Sequence, residues 1–592
     1  MDITTGPLGL SIPVQNANAA TTVKFTPSDI LNWRNALEIA DLSVTTKKLY
    51  QVMREGSGAP IDPKDRLEIL ELLRPTVQFI CQSLSKHYTN QPHALKHEQF
   101  VIANLSQTLQ MEMAYGYKMI IEQAAATGAS ADLKASLLPI AIQRVFYYFS
   151  QILLRSYKTY SKPPSDLWRE LHLLYKYVRH NLPHREDLID EYKRILLFSG
   201  GYPTKLRQNE QEALYRGTET WASMATLGKK PPDTGGAGYL IVDTEADQPP
   251  HDPSRGQMAF SDSCEVLSVL AIANRLKNLL SLVEPNELQS RMSHYNQAEY
   301  AIPTSVLRNL VKIWGMPSPR MQEREPQDQS AQICIGLRAT HFHVNHARVF
   351  QMPRTEPATE GTVAPGTGPV PWVAELEKTD ELGTHIDFSA VSSAVPVDNT
   401  ERYTFYPCTI VNETPTGYSL VLGGAIFSVL QAGEVLGLTR ADQAPDRIEI
   451  CGVRWLQYES DTLRLGVERL SSVAKAGALQ LIKNQKVVGD YVRCLLLESS
   501  LLVPTLPFKK GDRVNLLESE LEKPKEYLLS ELVDATGGYK CFQFVHKKTS
   551  LDNTALNKSE TPKPPSHPVQ ATPPTPSTTD KKDPFDDIWS HL

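Results

Sequence analysis

Two different apolar periods divide this chain, and no single domain fold accommodates both. In the N-terminal half, Leu67, Leu70, Val77, Ile80 and Leu84 recur at helical steps, as do Val101, Leu105, Leu109 and Met113. Steps of three, four and seven mark a helix with one buried stripe. From Ile333 onward the apolar residues come in short runs bounded by Gly, Pro and Asp, at 333–344, 403–411, 418–422, 448–458 and 463–470. That is the pattern of antiparallel strands. The change of character falls at Pro317, so a helical half is expected to precede a β half.

The helical half carries its own punctuation. Thr26-Pro27-Ser28-Asp29 and Pro163-Pro164-Ser165-Asp166 are helix starts, because Thr, Ser and Asp cap free amides and Pro is tolerated in the first turn. Helical pattern continues over 131–160 and 165–181, and returns over 263–283 and 303–314. Trp168, Leu171 and Tyr175 match the opening of a tetratricopeptide unit, but His172 replaces the usual glycine and no second copy follows. The stretch 229–256 gathers Pro and Gly and is read as a loop. It holds no GxxxxGK[ST] string, which excludes a phosphate loop.

A chain of 592 residues exceeds the usual domain length of ~100–200, so several domains are expected. Lys and Arg number 61 against 67 Asp and Glu, a net charge of −6 that rules out bulk attraction to nucleic acid or acidic membrane. Any anion site must be local. The seven cysteines are scattered without a CxxC pair and are read as reduced thiols, most of them in cores. The N-terminus lacks a basic, apolar leader, and the most apolar stretch, 133–154, is broken by Lys134, Pro139, Gln143, Arg144 and Gln151. A spanning helix needs ~20 predominantly apolar residues. The expected setting is the cytoplasm.

In the β half, 352–371 is rich in Pro, Gly, Thr and Glu and is read as part of a loop inserted near 350–398. A second small β unit is expected from runs at 479–483, 491–497, 513–517, 526–533 and 541–545. The segment 549–582 is Pro, Ser, Thr and Lys without an aromatic, too little apolar surface to offset ordering entropy, so disorder is expected. Residues 583–592 then restore Phe585, Ile588, Trp589 and Leu592 at helical spacing behind three aspartates, a candidate docking peptide for a protein partner.

Four short strings occur in order: Arg320-Met-Gln-Glu-Arg324, Asn412-Glu-Thr414-Pro-Thr-Gly417, Gly452-Val453-Arg454-Trp455 and Leu465-Gly466-Val467-Glu468. Together they resemble the PilZ family, whose members carry RxxxR before a β-barrel, a [DN]xSxxG turn between strands, and late V-R-W and G-V-x strands. The resemblance covers about 317–470. It implies a multidomain α + β architecture: all-α helical half (25–316, after a polar lead-in, 1–24), PilZ-like antiparallel β-barrel (317–475), second small β unit (476–548) and disordered C-terminal tail (549–582, ending in the 583–592 peptide).

The resemblance also implies cyclic di-GMP as ligand, with Arg320, Arg324, Asn412, Thr414 and Gly417 as binding residues and no cofactor. The residue chemistry suits that dianion with two guanines. Guanidinium forks grip phosphate or the guanine O6/N7 edge and stack on purines. Asn412 and Thr414 offer an amide and a hydroxyl, and Gly417 permits close backbone approach. Thr414 stands where the family has Ser, and Pro415 removes one backbone donor. Taken alone, the residues leave two readings for Arg320 and Arg324: nucleotide grips, or a solvated linker edge.

His341 and His343 are placed on one strand face, a spacing two metal ligands can use, without a third ligand in view. Exposed strand histidines are the plainer reading. No GxSxG, HExxH, kinase or dinucleotide string occurs, so an enzyme is not expected. The leading reading is a cyclic di-GMP receptor and adaptor acting on a protein partner through the helical domain or the C-terminal peptide. The alternative is a ligand-free scaffold acting through protein interactions alone. An enzyme housed in the helical half comes third.

Overall fold

The computed structural model describes residues 2–18, 20–89, 97–126, 130–131, 133–229, 238–253, 260–283, 298–315, 325–353, 403–423, 430–441, 447–459 and 462–546. Arg320, Arg324, most of the expected insert and the C-terminal tail lie outside these residues.

The N-terminal half is helical. Pro27–Asn35 (α1) starts on Thr26, whose Oγ1 accepts the Asp29 N–H at 3.2 Å. Leu42–Gly58 (α2), Pro63–Ser85 (α3), His97–Ala125 (α4), Leu138–Lys158 (α5), Leu167–Asn181 (α6), Glu186–Gly200 (α7) and Gln208–Trp221 (α8) follow. One continuous apolar core runs through all of them. Leu133–Lys158, a π-helical turn leading into α5, is long and apolar enough to cross a membrane, yet 72% of its apolar window is buried inside the bundle. Trp168, Leu171 and Tyr175 all face the core, with Tyr175 stacked on Tyr192 at 4.2 Å. The tetratricopeptide-like string is thus an aromatic helix face.

The polar lead-in is a hairpin. Ile3–Thr5 (β1) pairs with Ser11–Pro13 (β2). Glu122 of α4 accepts the N–H groups of Leu8 and Leu10 at 2.7 and 2.8 Å, and Glu170 of α6 accepts that of Ser11 at 2.7 Å. Two carboxylates therefore satisfy a backbone that short strands alone leave open, while Leu10 enters the core.

Two expectations in this half need correction. The 229–256 loop contains a strand, Tyr239–Asp243 (β4), and 263–283 is not helical throughout, because Cys264–Ser268 (β5) is a strand. With Thr226–Gly228 (β3) they form a sheet of order β3-β5-β4. The physical reason is burial. Leu240 and Val242 alternate into the core, and a short continuous apolar run such as Cys264 to Leu267 has no period that separates strand from helix. Leu270–Val283 (α9) and Thr304–Gly315 (α10) complete the half, with Trp314 packed edge-on against Trp221 at 5.7 Å.

The β half holds two closed six-stranded barrels. Glu325–Ile335 (β6), Tyr406–Thr414 (β7), Gly417–Gly423 (β8), Val435–Arg440 (β9), Glu449–Glu459 (β10) and Thr462–Ser471 (β11) close in the order β10-β11-β8-β7-β6-β9. The expected strand over 333–344 ends at Ile335. Gly336 turns the chain at φ 90°, and Leu337–Val344 (α11) is a helix that buries Ala339, Thr340, His341 and Phe342. The second unit closes from Ala474–Lys483 (β12), Lys486–Leu497 (β13), Leu501–Val503 (β14), Arg513–Leu517 (β15), Lys525–Ala535 (β16) and Lys540–His546 (β17), in the order β12-β13-β14-β17-β16-β15.

The three bodies share surfaces. Val435, Ile450, Leu495, Leu502 and Tyr539 form an apolar core between the barrels. Against the first barrel the helical half adds a bridge: the Tyr458 N–H donates to Tyr160 O at 2.7 Å, and Phe100 stacks on Tyr458 at 4.6 Å.

Candidate functional site: the β7–β8 turn

Asn412, Thr414 and Gly417 come together at one barrel end. Thr414 pairs with Gly417, leaving Pro415 and Thr416 as the two turn residues, and Asn412 pairs with Ser419. The Thr414 hydroxyl donates to Gly417 O at 3.1 Å, closing the turn on itself. Gly417 is required by close approach: a Cβ there meets Val467 O on β11 at 2.1 Å. The turn is pinned from that same strand, where the Arg469 N–H donates to Thr416 O at 2.8 Å and Arg469 Nη2 to Pro415 O at 2.5 Å.

Arg320 and Arg324 are about ninety residues upstream of this turn in sequence, and β6 closes that gap. Its first residue, Glu325, pairs with Glu413, and Pro326 pairs with Asn412. The strand that follows Arg324 in the chain thus begins beside the turn. The insert between β6 and β7 does not separate Glu325 from the turn, because strand pairing fixes both ends.

Around the turn lies a cluster that the sequence reading did not single out. The Tyr418 hydroxyl donates to Glu449 Oε2 at 2.7 Å and accepts from Arg469 Nη1 at 2.9 Å. Arg440 Nη2 donates to Glu413 Oε1 at 2.6 Å, and its guanidinium stands 4.8 Å from the centre of the Tyr418 ring. Arg469 lies over the same ring at 5.8 Å, with Nη1 3.7 Å from Glu449 Oε2. Burial, together with the hydrogen bond to Glu449, pushes the Tyr418 phenol up to about 12. Burial works against the Arg440 charge, but hydrogen bonds to Glu413 and Tyr418 outweigh it and raise its pKa. The available signal was strand alternation: Tyr418 and Arg469 flank motif glycines and valines on paired strands, and only register places them in contact.

Formally the cluster is neutral, two arginines against Glu413 and Glu449. It rigidifies the turn without offering spare positive charge, so a dianion bound here draws its charge from elsewhere.

The glycines of the late motif strings serve packing. Gly466 seats Trp455, whose Nε1 a Cβ would meet at 1.9 Å, and Gly452 lies under the Tyr539 hydroxyl, 2.6 Å from such a Cβ. The histidine pair is corrected: on α11, His341 and His343 point away from each other, since two residues are more than half a helical turn. His341 Nε2 is 3.0 Å from Gly477 O, and His343 Nε2 is 2.6 Å from Tyr403 O. Each ring is engaged with its own carbonyl. All seven cysteines are free and buried.

Three family models match the chain in order. The N-terminal domain of the cyclic-di-GMP receptor FimW matches 28–233, the FimW middle PilZ domain 239–476, and the FimW C-terminal β-barrel domain 477–546. The boundary at 239 falls within the helical core, since Leu240, Leu276, Leu310 and Trp314 pack with α5 to α8. The chain is 27% identical to the cyclic-di-GMP receptor FimW of Pseudomonas aeruginosa, with 99% of each chain covered. No solved structure matches.

Proposed function

Because the chain belongs to the PilZ-domain family, in the three-part form of helical domain, middle PilZ barrel and C-terminal barrel, we propose that it is a receptor for cyclic di-GMP. The observation that carries this reading is the convergence at the β7–β8 turn. Asn412, Thr414 and Gly417 share a pinned hairpin, and the strand continuing from Arg324 starts against it. In this reading Arg320 and Arg324 supply the positive charge, since Arg440 and Arg469 are already balanced by Glu413 and Glu449. Their forks bind phosphate and guanine, while Asn412 and Thr414 contact polar edges near the turn.

The adaptor function follows from where the arginines sit in the chain. They connect α10, anchored by the Trp314 Nε1 bond to Gly200 O at 3.2 Å, to the first barrel strand. Ligand held by this connector favours one arrangement of helical half against barrel, and a protein partner reads that shift through its differential affinity. The protein acts in the cytoplasm, as a binding protein rather than an enzyme; the buried, unpaired thiols and the absence of catalytic strings support this.

Titration calorimetry of the full chain with cyclic di-GMP tests the receptor reading. Saturable binding that Arg320→Ala with Arg324→Ala abolishes supports it. No heat from folded protein at ligand concentrations on the order of tens of micromolar overturns it. Partner capture with and without the nucleotide separates the adaptor from a ligand-free scaffold, which predicts identical partners in both.

A further inference from the structure

A cleft between the two barrels is lined by the end of α11 and the segment after it, by Arg447 before β10, by the β11–β12 link and by 518–521 after β15. Arg348, Arg447 and Lys475 project there and are exposed. Among the described residues none of these three side chains has an ion pair or a hydrogen bond. The cleft carboxylates, by contrast, are engaged. Glu518 accepts the Tyr527 hydroxyl at 2.6 Å and lies 3.6 Å from Lys525 Nζ, and Glu520 accepts the Gln351 N–H at 2.8 Å. Between the free cations stand apolar side chains left in solvent: Val349, Val473 and Leu521, the last 97% exposed.

Cations without partners interleaved with exposed aliphatics match an acidic amphipathic peptide better than a phosphate, which has no use for the aliphatics. This chain contains one. Residues 583–592 carry Asp583, Asp586 and Asp587 beside Phe585, Ile588, Trp589 and Leu592. The chain also leaves the second barrel on the correct side. His546, at the end of β17, pairs with Tyr527 and meets its ring edge-on at 5.1 Å, and the Tyr527 hydroxyl reaches Glu518 on the cleft wall. A coil of about 36 residues, as the composition of 547–582 predicts, reaches ~30–36 Å, enough to return the peptide to the cleft.

We propose that the inter-barrel cleft docks the chain's own 583–592 segment, its aspartates on Arg348, Arg447 and Lys475 and its aromatic face on Val349, Val473 and Leu521. The tether holds the peptide at high local concentration, so weak contacts suffice and a competing partner can release it.

A charge swap in the full chain tests this. Leu521→Cys and Ser590→Cys are introduced together, the native thiols being buried, and disulfide formation under mild oxidation is read by mass spectrometry at high dilution. An intramolecular cross-link is expected. Arg348→Glu with Arg447→Glu should lower its rate at least about fivefold, as should Asp586→Arg with Asp587→Arg. Combining both pairs should restore it, which a folding defect cannot do. A cross-link that survives either reversal, that the combined swap fails to recover, or that forms only between chains, overturns the proposal.

Discussion

Arg454 Nη2 donates to Asp534 Oδ2 at 2.7 Å, and with that bond the arginine of the V-R-W string ties β10 of one barrel to β16 of the other. Its Nε donates to Glu468 at 2.7 Å, and the Tyr539 hydroxyl completes the Asp534 shell at 2.8 Å. Burial raises the Asp534 pKa, but the Arg454 charge and the two hydrogen bonds outweigh it and hold the carboxyl below its usual range. A carboxylate depressed in the folded state stabilises above its unfolded pKa of ~3.9, and that contribution is lost as pH falls through the folded value. Arg454→Ala leaves Asp534 unpaired against the barrel junction. Because both groups keep some solvent contact, the expected cost is about 1–3 kcal/mol rather than the larger loss of a fully buried pair. Denaturant unfolding at neutral pH measures it, and the gap between variant and parent should narrow in acid below the Asp range.

At the turn, Gly417→Ala places a methyl against Val467 O, a backbone atom that cannot swing aside. Strands β8 and β11 must part locally, which should cost about 1–3 kcal/mol. The same displacement breaks the Arg469 bonds to Thr416 and Pro415. Calorimetry should therefore show nucleotide binding lost while circular dichroism still reports the native β signal. Unchanged affinity would remove the turn from the site.

The helical half contains an acid in the wrong environment. Glu112 of α4 is buried and accepts the Ser57 hydroxyl at 2.6 Å, with Arg54 Nε only as near as 4.0 Å. Burial pushes its pKa up to about 7. The folded state then holds a proton that the unfolded state has released, so stability is full below the unfolded value near 4.5 and declines as pH rises towards 7. The loss amounts to at most about 3 kcal/mol. Glu112→Gln should raise the thermal midpoint at pH 8 and leave it nearly unchanged at pH 4. An equal shift at both values would assign the effect to packing.

How much of this was legible in the sequence depends on the range of each signal. Helical stripes such as Leu67 to Leu84 and alternating runs such as those of β16 are local, and both half-chains follow from them. Asn412, Thr414 and Gly417 were legible because a two-residue turn keeps their contacts within the string itself. Tyr418, Arg440, Glu449 and Arg469 were not, because they meet only through the register of β8, β9, β10 and β11. The strand over Cys264–Ser268 and the helix α11 failed for a shared reason: elements of five and eight residues with four buried in a row are too short to display a period. His341 and His343 became a false pair once α11 was read as a strand.

Arg207, before α8, is where the three bodies meet, and the last prediction rests on it. Its Nη2 donates to Glu434 Oε2 at 2.8 Å and its Nε to Ala432 O at 3.2 Å, both in the first barrel. Its side chain also lies against Gly537 and Gly538 of the second, where a Cβ would meet it at 2.7 and 2.5 Å. The second barrel reaches back through the Thr536 hydroxyl, which donates to Gly433 O at 2.7 Å. Burial raises the Glu434 pKa, so the arginine is what keeps a charge there tolerable. Arg207→Ala removes a link that touches all three bodies at once. The expected cost is about 2–3 kcal/mol, since a half-buried carboxylate loses its partner. The turn and the RxxxR connector are untouched, so cyclic di-GMP affinity should stay within about threefold of the parent, less than 1 kcal/mol. Coupling should not survive. In the parent, hydrogen exchange across α8 should slow on nucleotide addition, and in Arg207→Ala that response should vanish while binding persists. Persistence of the α8 response in the variant would route the signal through the Tyr160–Tyr458 contact instead.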